Sequence, residues 1–383
     1  MQTNTKNIKY LAIVAGGSGG HILPALTLAE KWLQENPTGK IIYFGSQKKI
    51  DQKVMATYKF EFIKIDLNLI NFPGKKIWLY PKFIFQFLKT TSKSYRSLKK
   101  YRPEKLISTG GYISIPVSLA AKRLKIPIDL YELNVIAGRA TNFISSYANK
   151  IFVVFEKSKK IISQKNPKLE SKIFVTEYPL RFTAEDKSFD KDQFITLVNK
   201  IFQSEQDIIS TRAHINLGCG NLQVASFYPF EPTKKTIFIL GGSQGSQYLN
   251  NLFKSWIETN LEYKNKIQII HQTGKEENKN FVVFYRTHKI PAIIFDYKDD
   301  LKKYFLLSDL TICRAGAGTL FELEFFNKKS IIIPLQTKQT DHQIYNAEEM
   351  SLKHPDLFIT QKQSSIDKDL MILSKNILKM LEF

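Results

Sequence analysis

The residues of this chain best suited to chemistry lie between Ser308 and Ala347, where Arg314-Ala315-Gly316-Ala317-Gly318-Thr319 follows a short apolar run and precedes Glu322. A glycine turn that leaves a strand and opens a helix directs backbone N–H groups and the positive end of the helix dipole at whatever lies above it, which favours a phosphate. Glu322 falls one turn along that helix, where a carboxylate can accept hydrogen bonds from ribose hydroxyls while the turn holds the phosphates. Together these features suggest a sugar nucleotide. Asp341-His342-Gln343 and Asn346 add polar side chains after Pro334.

Three further glycine loops follow apolar runs of strand length: Gly16-Gly17-Ser18-Gly19-Gly20-His21, Thr109-Gly110-Gly111-Tyr112, and Gly241-Gly242-Ser243-Gln244-Gly245-Ser246. Glycine lets a backbone bend sharply and approach a bulky anion. Ile22 stands where a dinucleotide fingerprint needs its last glycine, and no Gly-Lys-Ser/Thr closes a P-loop, so hydride transfer and NTP hydrolysis lose their main support. Loops of this kind at equivalent strand ends mark the carboxyl edge of a parallel sheet, where open α/β folds bind ligands.

The elements that must carry these loops are legible as a rhythm. Apolar runs at residues 9–15, 40–44, 105–108, 128–131 and 150–154 alternate with amphipathic stretches, and the pattern restarts at 236–240, 267–271, 292–295, 310–313 and 330–333. Such alternation predicts βαβ units and two buried parallel sheets, with the first helix beginning near Pro24. The expected organisation is a first domain over 1–182, an irregular linker or insertion over 183–235, a second domain over 236–362, and a terminal helix over 363–383 that returns towards the first domain.

The chain has 383 residues, 43% of them hydrophobic, which suits two cores better than one. A balance of +21 attracts anionic partners without choosing among nucleic acid, acidic lipid and phosphorylated substrates. No stretch approaches the roughly 20 apolar residues that cross a bilayer, and residues 10–15 read as a first strand rather than a secretory leader. Cys219 and Cys313 fit no zinc or redox spacing and point to a reducing cytosol. Asp190-Lys191-Asp192 and Asp367-Lys368-Asp369 fall in polar segments away from strand ends, so metal binding there is not expected. Between residues 71 and 105, Lys75, Lys76, Lys82 and Lys89 mingle with Ile77, Trp78, Phe83, Phe85 and Phe87. A basic, aromatic surface suits an anionic membrane, and a helix with a buried apolar face and solvated lysines is the other reading.

These motifs, in this order and over nearly the whole chain outside residues 183–235, resemble the MurG-type glycosyltransferases, which move N-acetylglucosamine from UDP-GlcNAc to a lipid-linked muramoyl-pentapeptide. The matching pieces also include Glu132 with Asn134 and Gly138, Pro179-Leu180-Arg181, Leu249-Asn250 and Gln272-Thr273-Gly274. Two departures stand out: Tyr131-Glu132-Leu133-Asn134 where the family has His-Glu-Gln-Asn, and Glu177-Tyr178-Pro179 where it has Gly-Asn-Pro.

The resemblance implies an α/β GT-B glycosyltransferase fold, two Rossmann-like parallel-sheet domains facing across a cleft. It implies UDP-GlcNAc contacts from Ser18, Gly19, Gly20, Asn134, Arg181, Ser243, Glu322 and His342 or Gln343, with Gln244, Ala317, Gly318 and Thr319 lining the diphosphate. Gly110, Gly111 and Tyr112 would meet the acceptor, a muramoyl-pentapeptide on undecaprenyl diphosphate, and Lys75, Lys76, Trp78 and Phe83 an anionic membrane surface on the cytoplasmic face of the inner membrane. Transfer needs a base for the acceptor hydroxyl, and His21 is the expected one because an imidazole exchanges protons near neutrality. The other reading of His21 is a loop-bonding residue, and Glu132 is either a second base or a capping partner. Main-chain amides and Arg181 would meet the leaving diphosphate, with no cofactor and no metal. For Arg314 the structural alternative is a pair with a nearby acid. A glycolipid synthase, a UDP-GlcNAc epimerase, and a weakly catalytic sugar-nucleotide or nucleic-acid binding protein are the alternatives. No stacking-aromatic module of a nucleic-acid binder is present.

Overall fold

The structure, a computed structural model, describes all residues except 1–7, 17–18, 47–54, 56–57, 59, 71, 207–214, 217–220, 225–227, 243–244, 275–277, 299 and 337–341. The chain divides into two compact units, Met1–Arg181 and Phe182–Phe383.

The first unit holds seven parallel strands in the order β3-β2-β1-β4-β5-β6-β7. They are β1 (Tyr10–Val14), β2 (Lys40–Ser46), β3 (Phe62–Leu67), β4 (Lys105–Ser108), β5 (Ile128–Glu132), β6 (Lys150–Val153) and β7 (Ile173–Val175). Side chains alternate across β1, so its two faces feed two cores. Leu11 and Ile13 pack with Ile22, Leu26 and Trp32 of the helix Gly19–Glu35, while Ala12 and Val14 pack with Val117, Ala121 and Ile144 on the other face. Each of these leucine, isoleucine and valine side chains contributes about 1.5–3 kcal/mol by leaving water. The helix begins at Gly19, ahead of the sequence expectation, and carries Pro24 inside it.

The second unit holds eight strands in the order β15-β14-β13-β10-β11-β12-β9-β8. In chain order these are β8 (Ile215–Asn216), β9 (Asn221–Val224), β10 (Lys235–Leu240), β11 (Ile267–Gln272), β12 (Ala292–Phe295), β13 (Leu310–Cys313), β14 (Ser330–Ile332) and β15 (Phe358–Thr360). The six from β10 to β15 run parallel, while β9 pairs antiparallel with β12 and with β8. Residues 183–235 are therefore not simply an irregular linker. They contribute the helix Lys191–Gln206 and this edge hairpin, and they group with the second unit. The terminal helix Met371–Leu381 also belongs here, burying Leu373, Ile377 and Leu381 in one core with Ile237, Phe253 and Trp256.

In both sheets the strand order reverses beside the strand that opens the parallel set: between β1 and β4, and between β10 and β13. Connections leave on opposite faces at such a point and open a crevice at the carboxyl edge. The glycine loops follow those four strands.

Candidate functional site

In the first unit the loop after β4 wraps an imidazole that the loop after β1 delivers. His21, on the first turn of its helix, lies 2.7 Å through Nδ1 from the Thr109 carbonyl, and the Thr109 hydroxyl returns a 2.8 Å bond to the His21 carbonyl. A carbonyl only accepts, so Nδ1 carries the proton and Nε2 presents a lone pair. Among the described residues Nε2 bonds to nothing. Gly110 and Gly111 hold φ of +90° and +86°, where side chains are strained. A Cβ on Gly110 would stand 3.5 Å from His21 Cε1, and one on Gly111 2.8 Å from the Gly16 carbonyl oxygen. Only glycine lets both loops close around the ring.

Glu132 ends β5 and is buried. Its Oε1 accepts from Asn134 N at 3.0 Å and Asn134 Nδ2 at 3.1 Å, and its Oε2 accepts from Gly138 N at 3.0 Å. A carboxylate that gathers three N–H groups organises the loop that presents Asn134. The departure from the family pattern leaves these bonds intact: Tyr131 stacks on Phe152 at 4.7 Å and Leu133 is buried. Burial pushes the Tyr131 phenol up to about 12, with Asp129 adding to it.

In the second unit Gly242 and Gly245 take φ of +81° and +76° after β10, and Gly274 takes +83° after β11. A Cβ on Gly245 would meet Gly274 Cα and the Thr273 carbonyl oxygen at 2.8 Å, so these loops touch through bare backbone. Asn250 ties them from below by donating to the Thr273 carbonyl at 2.8 Å. The helix Gln247–Thr259 is capped by Ser246. Next to it, β13 ends at Cys313 and Arg314 follows, and Gly316 caps the helix Ala317–Phe325 that carries Gly318, Thr319 and half-buried Glu322. Gln343 accepts from Leu335 N at 3.0 Å, and Asn346 donates to the Ala315 carbonyl at 3.4 Å, so the helix His342–Lys353 holds the loops after β13 and β14.

Among the described residues Arg314 has no acid for a partner, so the structural reading of a pair with a nearby acid is not what the structure shows. Its bonds run to Ser246 Oγ, the Ile333 carbonyl and Gln363 Oε1. Asp190 caps the helix at Gln193, Asp367 accepts from Tyr248 and Asp369 accepts from Met371 N, so three of the four carboxylates in the Asp-x-Asp triplets have structural bonds.

Within each unit the structure gathers what the sequence singled out. His21, Gly110 and Gly111 form one group in the first unit; Gly245, Ser246 and Arg314 form one in the second. Gly19 and Gly20 lie on the first turn of the His21 helix, and Tyr112 packs against the core beside α-helical Val117. Arg181 closes the first unit, half-buried. Ser18, Ser243, Gln244 and Asp341 lie outside the described residues. Of the surface residues, Lys75 and Lys76 are exposed and Trp78 is 70% exposed, but Phe83 turns inward with Phe87 against the core. Phe72, Ile77, Ile84, Phe85 and Leu88 are exposed apolar side chains in the same segment as Trp78. Thr109 and Asn250, which position the two glycine loops, had no assigned role; their signal was their place inside or beside the glycine runs.

Two α/β units built on parallel sheets, with glycine loops at the reversal point of each, define the GT-B class of glycosyltransferases. The chain matches the glycosyltransferase family 28 N-terminal domain over residues 11–153 and the C-terminal domain of that family over 236–383. It is 32% identical over 344 residues to the UDP-N-acetylglucosamine--N-acetylmuramyl-(pentapeptide) pyrophosphoryl-undecaprenol N-acetylglucosamine transferase of Natranaerobius thermophilus, covering 88% of this chain and 82% of that one. This chain belongs to that transferase family. The fold is shared with Acinetobacter baumannii MurG, with a TM-score of 0.62 at 21% identity over 97% of this chain and 93% of that chain. It is shared as well with UDP-GlcNAc 2-epimerase from Neisseria meningitidis bound to UDP-GlcNAc, with a TM-score of 0.54 at 14% identity over 91% and 92%.

Proposed function

We propose that this chain transfers N-acetylglucosamine from UDP-GlcNAc to the muramoyl-pentapeptide carried on undecaprenyl diphosphate, with inversion at the sugar carbon. Family membership supports the reaction, and the hydrogen bond from His21 Nδ1 to the Thr109 carbonyl supports the way it is performed. That bond leaves Nε2 as a base. Nε2 takes the proton of the acceptor hydroxyl as its oxygen bonds to the sugar carbon, and the electron pair of the breaking C–O bond leaves with UDP.

The second unit serves the donor. Main-chain amides after β10 and at Ala317, Gly318 and Thr319 receive the diphosphate, and Glu322 accepts from the ribose hydroxyls. His342 and Gln343 contribute to that side, and Ser243 and Gln244, which lie outside the described residues, are assigned to the donor as well. In the first unit Gly110, Gly111 and Tyr112 receive the acceptor, while Ser18, Gly19, Gly20, Asn134 and Arg181 contribute to the donor. Glu132 acts as a positioning residue for Asn134, on the strength of its three N–H bonds.

Among the described residues no helix is long and apolar enough to cross a membrane. We assign peripheral attachment at the cytoplasmic face of the inner membrane to the exposed group Ile77, Trp78, Phe85 and Leu88 with Lys75 and Lys76.

Labelled UDP-GlcNAc incubated with the lipid-linked muramoyl-pentapeptide in anionic vesicles tests the reading. The expected outcome is one labelled lipid product and release of UDP. Conversion of UDP-GlcNAc to its epimer without acceptor, or no labelled lipid at all, overturns it.

A further inference from the structure

The side chain of Arg314 is held on three sides by groups that carry no charge. Nε donates to Ser246 Oγ at 3.2 Å, and Nη1 donates to the Ile333 carbonyl at 3.1 Å and Gln363 Oε1 at 2.8 Å. The guanidinium lies 5.2 Å from the centre of the Tyr248 ring. The carboxylate closest to hand in this network, Asp367, is bonded instead to the Tyr248 hydroxyl at 2.7 Å. A half-buried guanidinium stays protonated at neutral pH even though burial pulls its pKa down. Among the described residues nothing bonded to it offsets its charge.

Holding a desolvated cation among neutral acceptors is a poor way to stabilise a fold, since a partly buried charge normally takes an acidic partner. The position explains the arrangement. Arg314 is the first residue after β13, and its Nε grips the cap of the helix that follows the β10 loop, so it spans the reversal point of the second sheet. Nη2 makes no bond to the protein among the described residues and is not one of the enclosed unpartnered atoms, so its N–H groups reach solvent.

We infer that Arg314 is a ligand of the donor diphosphate, a fixed cation whose missing counter-charge is the nucleotide itself. This rests on the assignment of the second unit to a uridine diphosphate donor. Neutral acceptors orient the guanidinium, Nη2 donates to a phosphate oxygen, and the negative charge that grows on departing UDP meets a positive one that cannot deprotonate.

Calorimetric binding of uridine, UMP and UDP to the full chain separates this role from that of a strut. Arg314→Gln keeps a hydrogen-bonding side chain without the charge, and is expected to weaken UDP by about 30-fold, UMP by less, and uridine by about twofold or under. Arg314→Lys, which keeps the charge, is expected to hold UDP within about fivefold of the parent. Equal losses for uridine and UDP in Arg314→Gln, or a lysine variant as weak as the glutamine one, overturn the inference and leave a structural clamp. A glutamine variant that binds UDP like the parent overturns it too. A parent that binds no UDP sinks the donor assignment, and this inference with it.

Discussion

The two sheets use the same backbone device around opposite kinds of side chain. Beside β1 and β4, glycines in the left-handed region close around His21, an imidazole tied at Nδ1 and open at Nε2. Beside β10 and β13, glycines of the same conformation adjoin Arg314, a guanidinium tied at Nε and Nη1 and open at Nη2. A proton acceptor must change its charge during the reaction, whereas a group that stabilises a leaving diphosphate must keep its own. The first unit therefore needs a titratable residue on a rigid turn, and the second needs one that never titrates.

The largest expected effect breaks the comparison on the first side. His21→Ala should lower turnover by roughly 10²–10⁴-fold while leaving UDP affinity within about threefold, because no donor contact in the second unit depends on it. Steady-state transfer and UDP calorimetry on the same preparation check this. Near-parental turnover would move the base elsewhere, and a collapse of UDP affinity would mean the two regions are not separable.

A matched pair of glycine substitutions sharpens it. Gly111→Ala places a Cβ 2.8 Å from the Gly16 carbonyl oxygen, and Gly245→Ala places one 2.8 Å from the Thr273 carbonyl oxygen. Both positions have positive φ, so each change costs about 1–3 kcal/mol locally. Gly111→Ala should depress acceptor-dependent turnover about 10-fold or more with UDP binding retained, and Gly245→Ala should weaken UDP by a similar factor. Indistinguishable profiles for the pair would refute the division of labour.

What the sequence revealed of this architecture follows burial. Central strands such as Leu310–Cys313 and Ala292–Phe295 are covered on both faces and read as unbroken apolar runs, which is why their bounds were legible. The strands that escaped notice lie at or beside sheet edges. In β3, Lys64 and Asp66 break the run because one side meets solvent; β7 exposes Phe174 and Val175; β8, β9 and β15 lie at the ends of the other sheet. Site chemistry was visible as residue type but not as orientation. Nothing in the spacing of His21 shows that a carbonyl 88 positions away fixes its tautomer. The partners of Arg314 could not be read from its neighbours in sequence, because Ser246, Ile333 and Gln363 are brought together only by the β10–β13 reversal and the packing of the terminal segment. Phe83 and Trp78 look alike in a basic aromatic segment, and only the helical phase of Tyr80–Tyr101 sends Phe83 inward.

The smallest expected effect concerns a second imidazole, held in the opposite tautomer. Asn250 donates through Nδ2 to the Thr273 carbonyl, which fixes its Oδ1 as an acceptor towards His271 Nε2 at 3.1 Å. Nε2 of His271 therefore carries the proton, and Nδ1 accepts from the Tyr285 hydroxyl at 2.9 Å. The ring is fully buried, and burial pushes its pKa down from 6.5 to about 3. An unfolded chain takes up a proton at this residue below about pH 6.5 and the folded one does not, so the contribution to stability is complete above that pH and falls as pH drops towards 3. Between pH 7.5 and 5.5 the parent should lose roughly 1 kcal/mol through this group, read by urea unfolding followed in the second unit. His271→Gln should show a flatter dependence over the same interval, even from a lower starting stability. Parallel curves for parent and variant would show that the network tolerates a charge. His271 would then take up a proton within the folded protein, and the contrast between a reactive imidazole and a purely structural one would be lost.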